Sequence, residues 1–314
     1  MADPFPISVP ILALIGPTAI GKTSLSLKLA RLFDCEIISM DSMQVYRYMD
    51  IGTAKITREE MEGIVHHGID LVDPDDEYHA ARFVHDSLEA IELIRAKGKR
   101  VLITGGTGLY LRALTEGLAR KIPVEPGIRR ELQGRLVREG GRRLLEELAK
   151  IDPETVARIH ENDHYRLLRG LEIYHSTGQT WSAHLRKQRR EETSRFSNLL
   201  EIGLTCDRQH LYQRIDQRTV LMKEQGLEQE VSRLMQMGYD PELKSMKGLG
   251  YRHCVNLLQG EWDAETTYRL LARDTRHYAK RQYTWFQKFG PVRWFDVAQQ
   301  EEIIDVITDW YTMS

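Results

Sequence analysis

The sequence predicts an α/β protein: a P-loop parallel sheet core flanked by helices, interrupted by an all-helical insertion domain. Three observations predict it. The stretch GPTAIGKT, Gly16 to Thr23, stands between an apolar run, VPILALI, and a helix-like segment, SLSLKLARLF. Over the first 115 residues short apolar runs alternate with segments whose apolar residues recur at three and four, the pattern of a parallel sheet with helices on both faces. From Gly117 helical segments follow one another without strands, and a strand pattern returns only at NLLEIGLTC.

VPILALI is the first strand, and the loop after it has two glycines separated by four residues and then Lys-Thr, the phosphate-binding spacing in the strand-to-helix setting it requires. Gly16 and Gly21 let the backbone of Pro17, Thr18, Ala19 and Ile20 turn around one concavity, into which N–H groups and the following helix N-terminus project positive potential. Lys22 supplies a point charge to the outer phosphate oxygens, and the Thr23 hydroxyl a ligand for Mg²⁺. CEIISM, the second strand, delivers Asp41 to the same carboxyl edge. A carboxylate there can orient an acceptor and take its proton, or simply cap the next turn.

HGIDLV is a third strand candidate, AARFVHDSLEAIELIRAKG a helix and KRVLIT a further strand. KRVLIT ends in Gly105-Gly106-Thr107-Gly108, not in the acid that a nucleotide hydrolase uses to hold Mg²⁺ through water. Asp70 and Asp73 in GIDLVDP keep that reading from vanishing. The helical segments from about 116 to 199 carry turn signals at PVEPG, EGG and IDPE. Because NLLEIGLTC needs a sheet to join, they read as an insertion (116–199) into a catalytic core formed by 1–115 and 200–314. Helices follow at LYQRIDQRTVLMKEQ, LEQEVSRLMQMG and ETTYRLLARDTRHYAKRQYTWFQKFG.

At 314 residues, 41% hydrophobic and 29% charged, the composition is that of a globular protein. No window approaches the roughly eighteen apolar residues that span a bilayer, and MADPFPISVP lacks a leader pattern, so a cytoplasmic protein with no membrane partner is expected. Cys35, Cys206 and Cys254 are far apart, which argues for free thiols. Net charge is −2, yet residues 116–199 hold 17 Lys/Arg against 13 Asp/Glu, with six arginines between Arg129 and Arg143. Such a run is either a solvated face or a phosphate-backbone contact.

Strand and loop alone leave a P-loop kinase of a nucleotide or small metabolite and a transferase close to equal. GPTAIGKT, DSMQVYRYMDIGTAK, GGTGLYLRAL, IHENDHYRLLRGLEIYHSTGQ, GLGYR and YAKRQYTWF, however, occur in the order and spacing of the tRNA dimethylallyltransferase (isopentenyltransferase) family. The resemblance runs from Ile11 to Phe295, and DSMQVY with IGTAK is far more specific than the loop. Without the Cys/His segment that eukaryotic members append, it is to the bacterial members.

The resemblance implies that the loop holds the diphosphate of dimethylallyl diphosphate, with Mg²⁺ on Thr23, and that the five-carbon group passes to N6 of adenine 37 in the tRNA anticodon loop. It makes Asp41 the general base, Arg218 the better of two diphosphate arginines (Arg214 being the other, or paired with Asp216 or a nearby Glu), and Thr107 a contact to the acceptor or the phosphate, the alternative for Thr107 being a cap on the helix that begins at Gly108. The family's RNA-contact segments match Asp41, Ser42, Met43 and Gln44; Tyr165, Arg166, Leu167, Leu168 and Arg169; Lys247, Gly248, Leu249, Gly250, Tyr251 and Arg252; and Lys280, Arg281 and Gln282, with Thr107 and Arg129 added. Trp285 and Phe286 read as core. Gly170 stands where many relatives have Ala. A monomer acting on the anticodon stem-loop is expected.

Overall fold

The structure, a computed structural model, describes residues 7–117, 122, 124–191, 194–288 and 290–313, without the side chains of 126 and 188–191. Two compact units divide the chain: Met1–Thr115 with Ser194–Ser314, and Glu116–Thr193. Each is described by itself.

In the first unit β1 (Ile11–Ile15), α1 (Lys22–Leu32), β2 (Cys35–Met40), β3 (His66–His67), α2 (Ala80–Ala96), β4 (Arg100–Gly105) and α3 (Gly108–Thr115) follow in order. The second unit holds α4 (Pro126–Glu139), α5 (Gly141–Ile151), α6 (Pro153–Val156), α7 (His164–Thr177) and α8 (Trp181–Glu191). The chain then returns to the first unit as β5 (Leu199–Thr205), α9 (Arg208–Glu224), α10 (Leu227–Gln236), α11 (Tyr251–Leu258), α12 (Ala264–Phe286), β6 (Arg293–Asp296) and α13 (Gln300–Met313).

The strands form one parallel sheet, ordered β3-β2-β4-β1-β5-β6. Every residue of β1 is fully buried, which is why ILALI carries no alternation: helices cover both faces. One layer packs Phe83, Ile91, Leu111 and Phe286 against Ile11, Ala13 and Ile15, and the other packs Leu25, Leu29, Ile303 and Ile307 against Leu12 and Leu14. A third cluster, with Met49, Leu227, Val231 and Tyr251, lies under the segment after Asp41. Ile15 and Met40 both pair with Gly105, so the segments that leave β1, β2 and β4 emerge side by side.

The sheet departs from expectation at both edges. HGIDLV joins the sheet only at its first residue, His67, which pairs together with the preceding His66, and by a lone bridge from Val72 to Tyr46, because Gly68 (φ +82) and Asp70 (φ +54) turn the chain out of line. RWFD, not read as a strand, is β6: its four residues pair with Ile202–Thr205 of β5, a partner that the local pattern does not announce.

In the second unit Leu132, Leu144, Leu148, Leu167 and Leu171 form the core. Gly170 is buried, and a Cβ there would stand 3.0 Å from Leu148 Cδ2, so its bare backbone gives α7 close packing on α5. The arginine-rich run lies largely in ion pairs: Arg135 with Glu139 and Glu147, Arg142 with Glu146, Arg143 with Glu139. Among the described residues no helix is long and apolar enough to cross a membrane.

Candidate active site

Gly21 at the start of α1 adopts φ +106, a conformation that a side chain would strain, and Ala19 before it stands at φ +63. Two partners from distant elements hold this loop. Arg214 of α9 donates from Nε to Ala19 O at 2.7 Å, and Asp216, the alternative partner for it, pairs with Arg276. Gln282 of α12 accepts the Thr18 N–H at 2.8 Å and donates to Gly106 O at 2.9 Å, linking the loop to the end of β4. Ile20 is buried beneath the loop, while Thr23 opens on the cavity above it.

Lys22 turns its ammonium onto the loop's own carbonyls, Gly16 O at 2.9 Å and Pro17 O at 2.7 Å. Its removal from water lowers its pKa from 10.5 to about 7, against the pull of the Asp41 charge. Arg218, whose pKa burial also lowers, reaches Thr18 Oγ1 at 3.3 Å and Thr53 O at 3.1 Å. Two cations, both half-buried beside the loop, make a site that an anion completes. That donor set also fits a diphosphate with Mg²⁺, which Thr23 would help to hold.

Asp41 emerges from β2 beside this cradle. Its Oδ1 accepts the N–H groups of Met43 (2.8 Å) and Gln44 (3.3 Å), so the carboxylate does close the next turn; among the described residues these bonds engage Oδ1 alone. Its charge also reaches Tyr110 and Tyr278, both of whose phenols burial pushes up. Thr107 Oγ1 accepts the Ser42 N–H at 3.2 Å, which ties the Asp41 turn to the end of β4 rather than capping α3. Lys22, Thr23, Asp41, Gln44, Thr53, Gly106 and Arg218 all line one open cavity of about 970 Å³.

The proposed RNA-contact residues divide. Lys247, Arg252, Lys280 and Arg281 are exposed; Lys247 pairs with Glu242 and Arg252 with Asp274. Gly248 lies against Met43, which brings the GLGYR and DSMQ segments together. Leu249 is half-buried. Tyr251 is different: it is fully buried, its hydroxyl donating to Glu230, and it offers no face to a base. Gly250 behind it and Gln282 are buried as well, and Gln282 is spent on the loop. In the second unit Tyr165 is 67% exposed, with Arg129 over its ring at 5.8 Å, whereas Leu167 is core and Leu168 packs against it. Arg166 pairs with Asp163, and Arg169 with the buried Glu172 at 2.8 Å. Phe286 is core; Trp285 is half-buried against it and covers Gly108.

A parallel sheet whose first strand runs into a Gly-Lys-Thr loop, faced by a carboxylate and an arginine across one cavity, defines a protein of the P-loop class. Residues 44–289 match the model of the family described as IPP transferase, and the chain belongs to that family. It is 49% identical over 304 residues to a tRNA dimethylallyltransferase of Desulfotalea psychrophila, covering 97% of this chain and 96% of that one. The enzyme of the same name from Thermotoga maritima is 43% identical over 288 residues, 91% of this chain and 92% of that one. Among solved structures, the tRNA isopentenylpyrophosphate transferase of Bacillus halodurans superposes with a TM-score of 0.71 at 38% identity, covering 96% of both chains. A eukaryotic dimethylallyltransferase, captured acting on tRNA, gives a TM-score of 0.81 at 29% identity, over 97% of this chain and 80% of that one.

Proposed function

We propose that the protein transfers the dimethylallyl group from dimethylallyl diphosphate to N6 of adenine 37 in tRNA, releasing diphosphate. The observation that carries this reading is the single cavity in which Asp41 faces Lys22 and Arg218. The allylic C1–O bond breaks with negative charge growing on the departing diphosphate, so stabilising that charge is the main catalytic demand. The loop amides, Lys22 and Arg218 meet it, and Lys22 leaves the Gly16 and Pro17 carbonyls for the phosphate oxygens. Mg²⁺, held with the help of Thr23, would neutralise further diphosphate charge.

The N6–C1 bond forms as the amine loses a proton. An exocyclic adenine amine is a weak nucleophile because its lone pair is delocalised, and Asp41 takes the proton that it must shed. The turn amides of Met43 and Gln44 hold the carboxylate by Oδ1 and leave Oδ2 for that proton. The base must first leave its stack in the anticodon loop. Exposed Tyr165, Arg129, Arg252, Lys280 and Arg281 suit the stacking and phosphate contacts that this needs. The reading carries a cytoplasmic monomer. Incubation with unmodified tRNA and either labelled dimethylallyl diphosphate or labelled ATP tests it: prenyl label in RNA is expected. Phosphate on a small acceptor, or binding without transfer, overturns it.

A further inference from the structure

We propose that Glu230 is a positioning residue for Arg218, acting through the loop 48–56; this rests on the reading of Arg218 as a diphosphate-stabilising group. Residues 48–56 form no helix or strand, and Tyr48 and Ala54 stand at positive φ. A loop of this kind keeps one shape only if its backbone groups find partners elsewhere. Three consecutive amides share a single carboxylate, while those of Ala54 and Lys55 close onto the Ile51 and Asp50 carbonyls within the loop. The N–H groups of Asp50 (3.0 Å) and Ile51 (2.8 Å) donate to Glu230 Oε2, and that of Gly52 (3.2 Å) to Oε1, which also accepts the Tyr251 hydroxyl at 2.7 Å. Glu230 is 4% exposed and sits in the first turn of α10, where the helix end favours an anion.

The carbonyl that follows those amides points the other way. Thr53 O accepts Arg218 Nη2 at 3.1 Å, and Gln44 Nε2 at 3.4 Å, while Arg218 Nη1 reaches Thr18 in the phosphate loop. Arg218 therefore hangs between two acceptors, Thr18 in the phosphate loop and the Thr53 carbonyl, which lies one residue beyond the last amide that Glu230 holds. Tyr251 closes the arrangement from below: a Cβ on Gly52 would meet its ring, so the loop lies directly on the aromatic face. Mere retention of the loop does not require a buried anion, since Val45, Tyr46 and Met49 already sit in the apolar cluster. Glu230 lies outside the cavity wall, and its effect on the reaction runs through Thr53 and Arg218.

Glu230→Gln places an amide donor among N–H donors and is the primary variant. Its kcat, donor KM, tRNA affinity and melting temperature are to be measured in the wild-type and Arg218→Gln backgrounds. In the wild-type background kcat should fall roughly 10- to 100-fold, the scale of a misaimed catalytic group, with tRNA affinity within about two-fold. In the Arg218→Gln background the same change should cost less than about three-fold, because residues acting as one unit are not additive. Tyr251→Phe, which removes one of the four donors and keeps the ring, should repeat the pattern at roughly 3- to 10-fold, and it serves if Glu230→Gln does not fold. Equal fold losses in both backgrounds would overturn the link between Glu230 and Arg218 alone. An Arg218→Gln variant with unchanged kcat would overturn the reading of Arg218, and this proposal with it.

Discussion

At the scale of single residues the site is set by two cations and one carboxylate that line one open cavity. Lys22 is the clearest case. With its pKa lowered to about 7, it holds its proton less firmly in the donor-free protein than a free lysine does, and a bound diphosphate favours the charged form. Binding of dimethylallyl diphosphate at pH 8 should therefore be accompanied by proton uptake. Calorimetry in buffers of different ionisation enthalpy reads this directly, and Lys22→Ala should abolish it. Donor affinity should weaken as pH rises above 7. The unfolded chain keeps the lysine proton up to its usual pKa of 10.5, so this group makes the donor-free protein more stable as pH rises between those values. Lys22→Ala should leave tRNA affinity without donor near normal. Asp41→Asn keeps an acceptor for the Met43 and Gln44 amides but cannot take a proton, so turnover should drop roughly 10² to 10⁴-fold with the fold intact. Turnover within about three-fold of wild type would remove Asp41 as the base.

At the scale of elements, helices from the C-terminal half hold a loop from the N-terminal end. α9 contributes Arg214 to Ala19 O, and α12 contributes Gln282 to Thr18 and Gly106. The P-loop is thus not held by its own glycines alone. Gln282→Leu fills the same space but strands the Thr18 N–H and the Gly106 carbonyl, each costing about 1–3 kcal/mol if left dry. The donor KM should rise about ten-fold through loss of loop order, while Asp41, on the far side of the break, should keep its role and kcat should change less. A fall in kcat at constant KM would instead place Gln282 at the transition state. α12 was legible as a helix from its period of three and four. Which of its residues face the loop was not, because Gln282 lies in the same basic, aromatic segment as exposed Lys280 and Arg281.

At the scale of the whole molecule, charge is divided unevenly along the chain, and the basic stretch 116–199 was the sign of a nucleic-acid partner that composition supplied. The pairing within the second unit changes what its arginines can do. Among the described residues Arg166 pairs with its cap partner Asp163, and its side chain is 52% exposed, so it can turn to a phosphate; Arg169 is tied to Glu172, which is 2% exposed. Arg166→Gln should flatten the slope of log tRNA affinity against log salt by about one unit. Arg169→Gln should leave the slope alone and lower the melting temperature by about 4 °C, since a buried carboxylate loses its close partner. Filter binding across a salt series with parallel thermal melts checks both. Equal slope changes would show that Arg169 leaves Glu172 when RNA binds.

Local pattern alone determined the alternating core, the helical insertion, the phosphate loop and the delivery of Asp41 to its edge. Each of these follows from residues close in sequence: apolar period, the Gly-Lys-Thr spacing, and the rule that a parallel strand ends where ligands gather. Tertiary structure decided the rest. It made RWFD a strand, turned most of HGIDLV into a loop, and buried Tyr251, Leu167 and Gln282, which the family resemblance had put among the RNA contacts. It also gave Arg214 to the loop and Glu230 to the peptides before Thr53. The partners in these pairs are 178 to 195 residues apart, and no local preference encodes which buried donor meets which acceptor; packing against the sheet brings them within reach, and desolvation then requires that they bond.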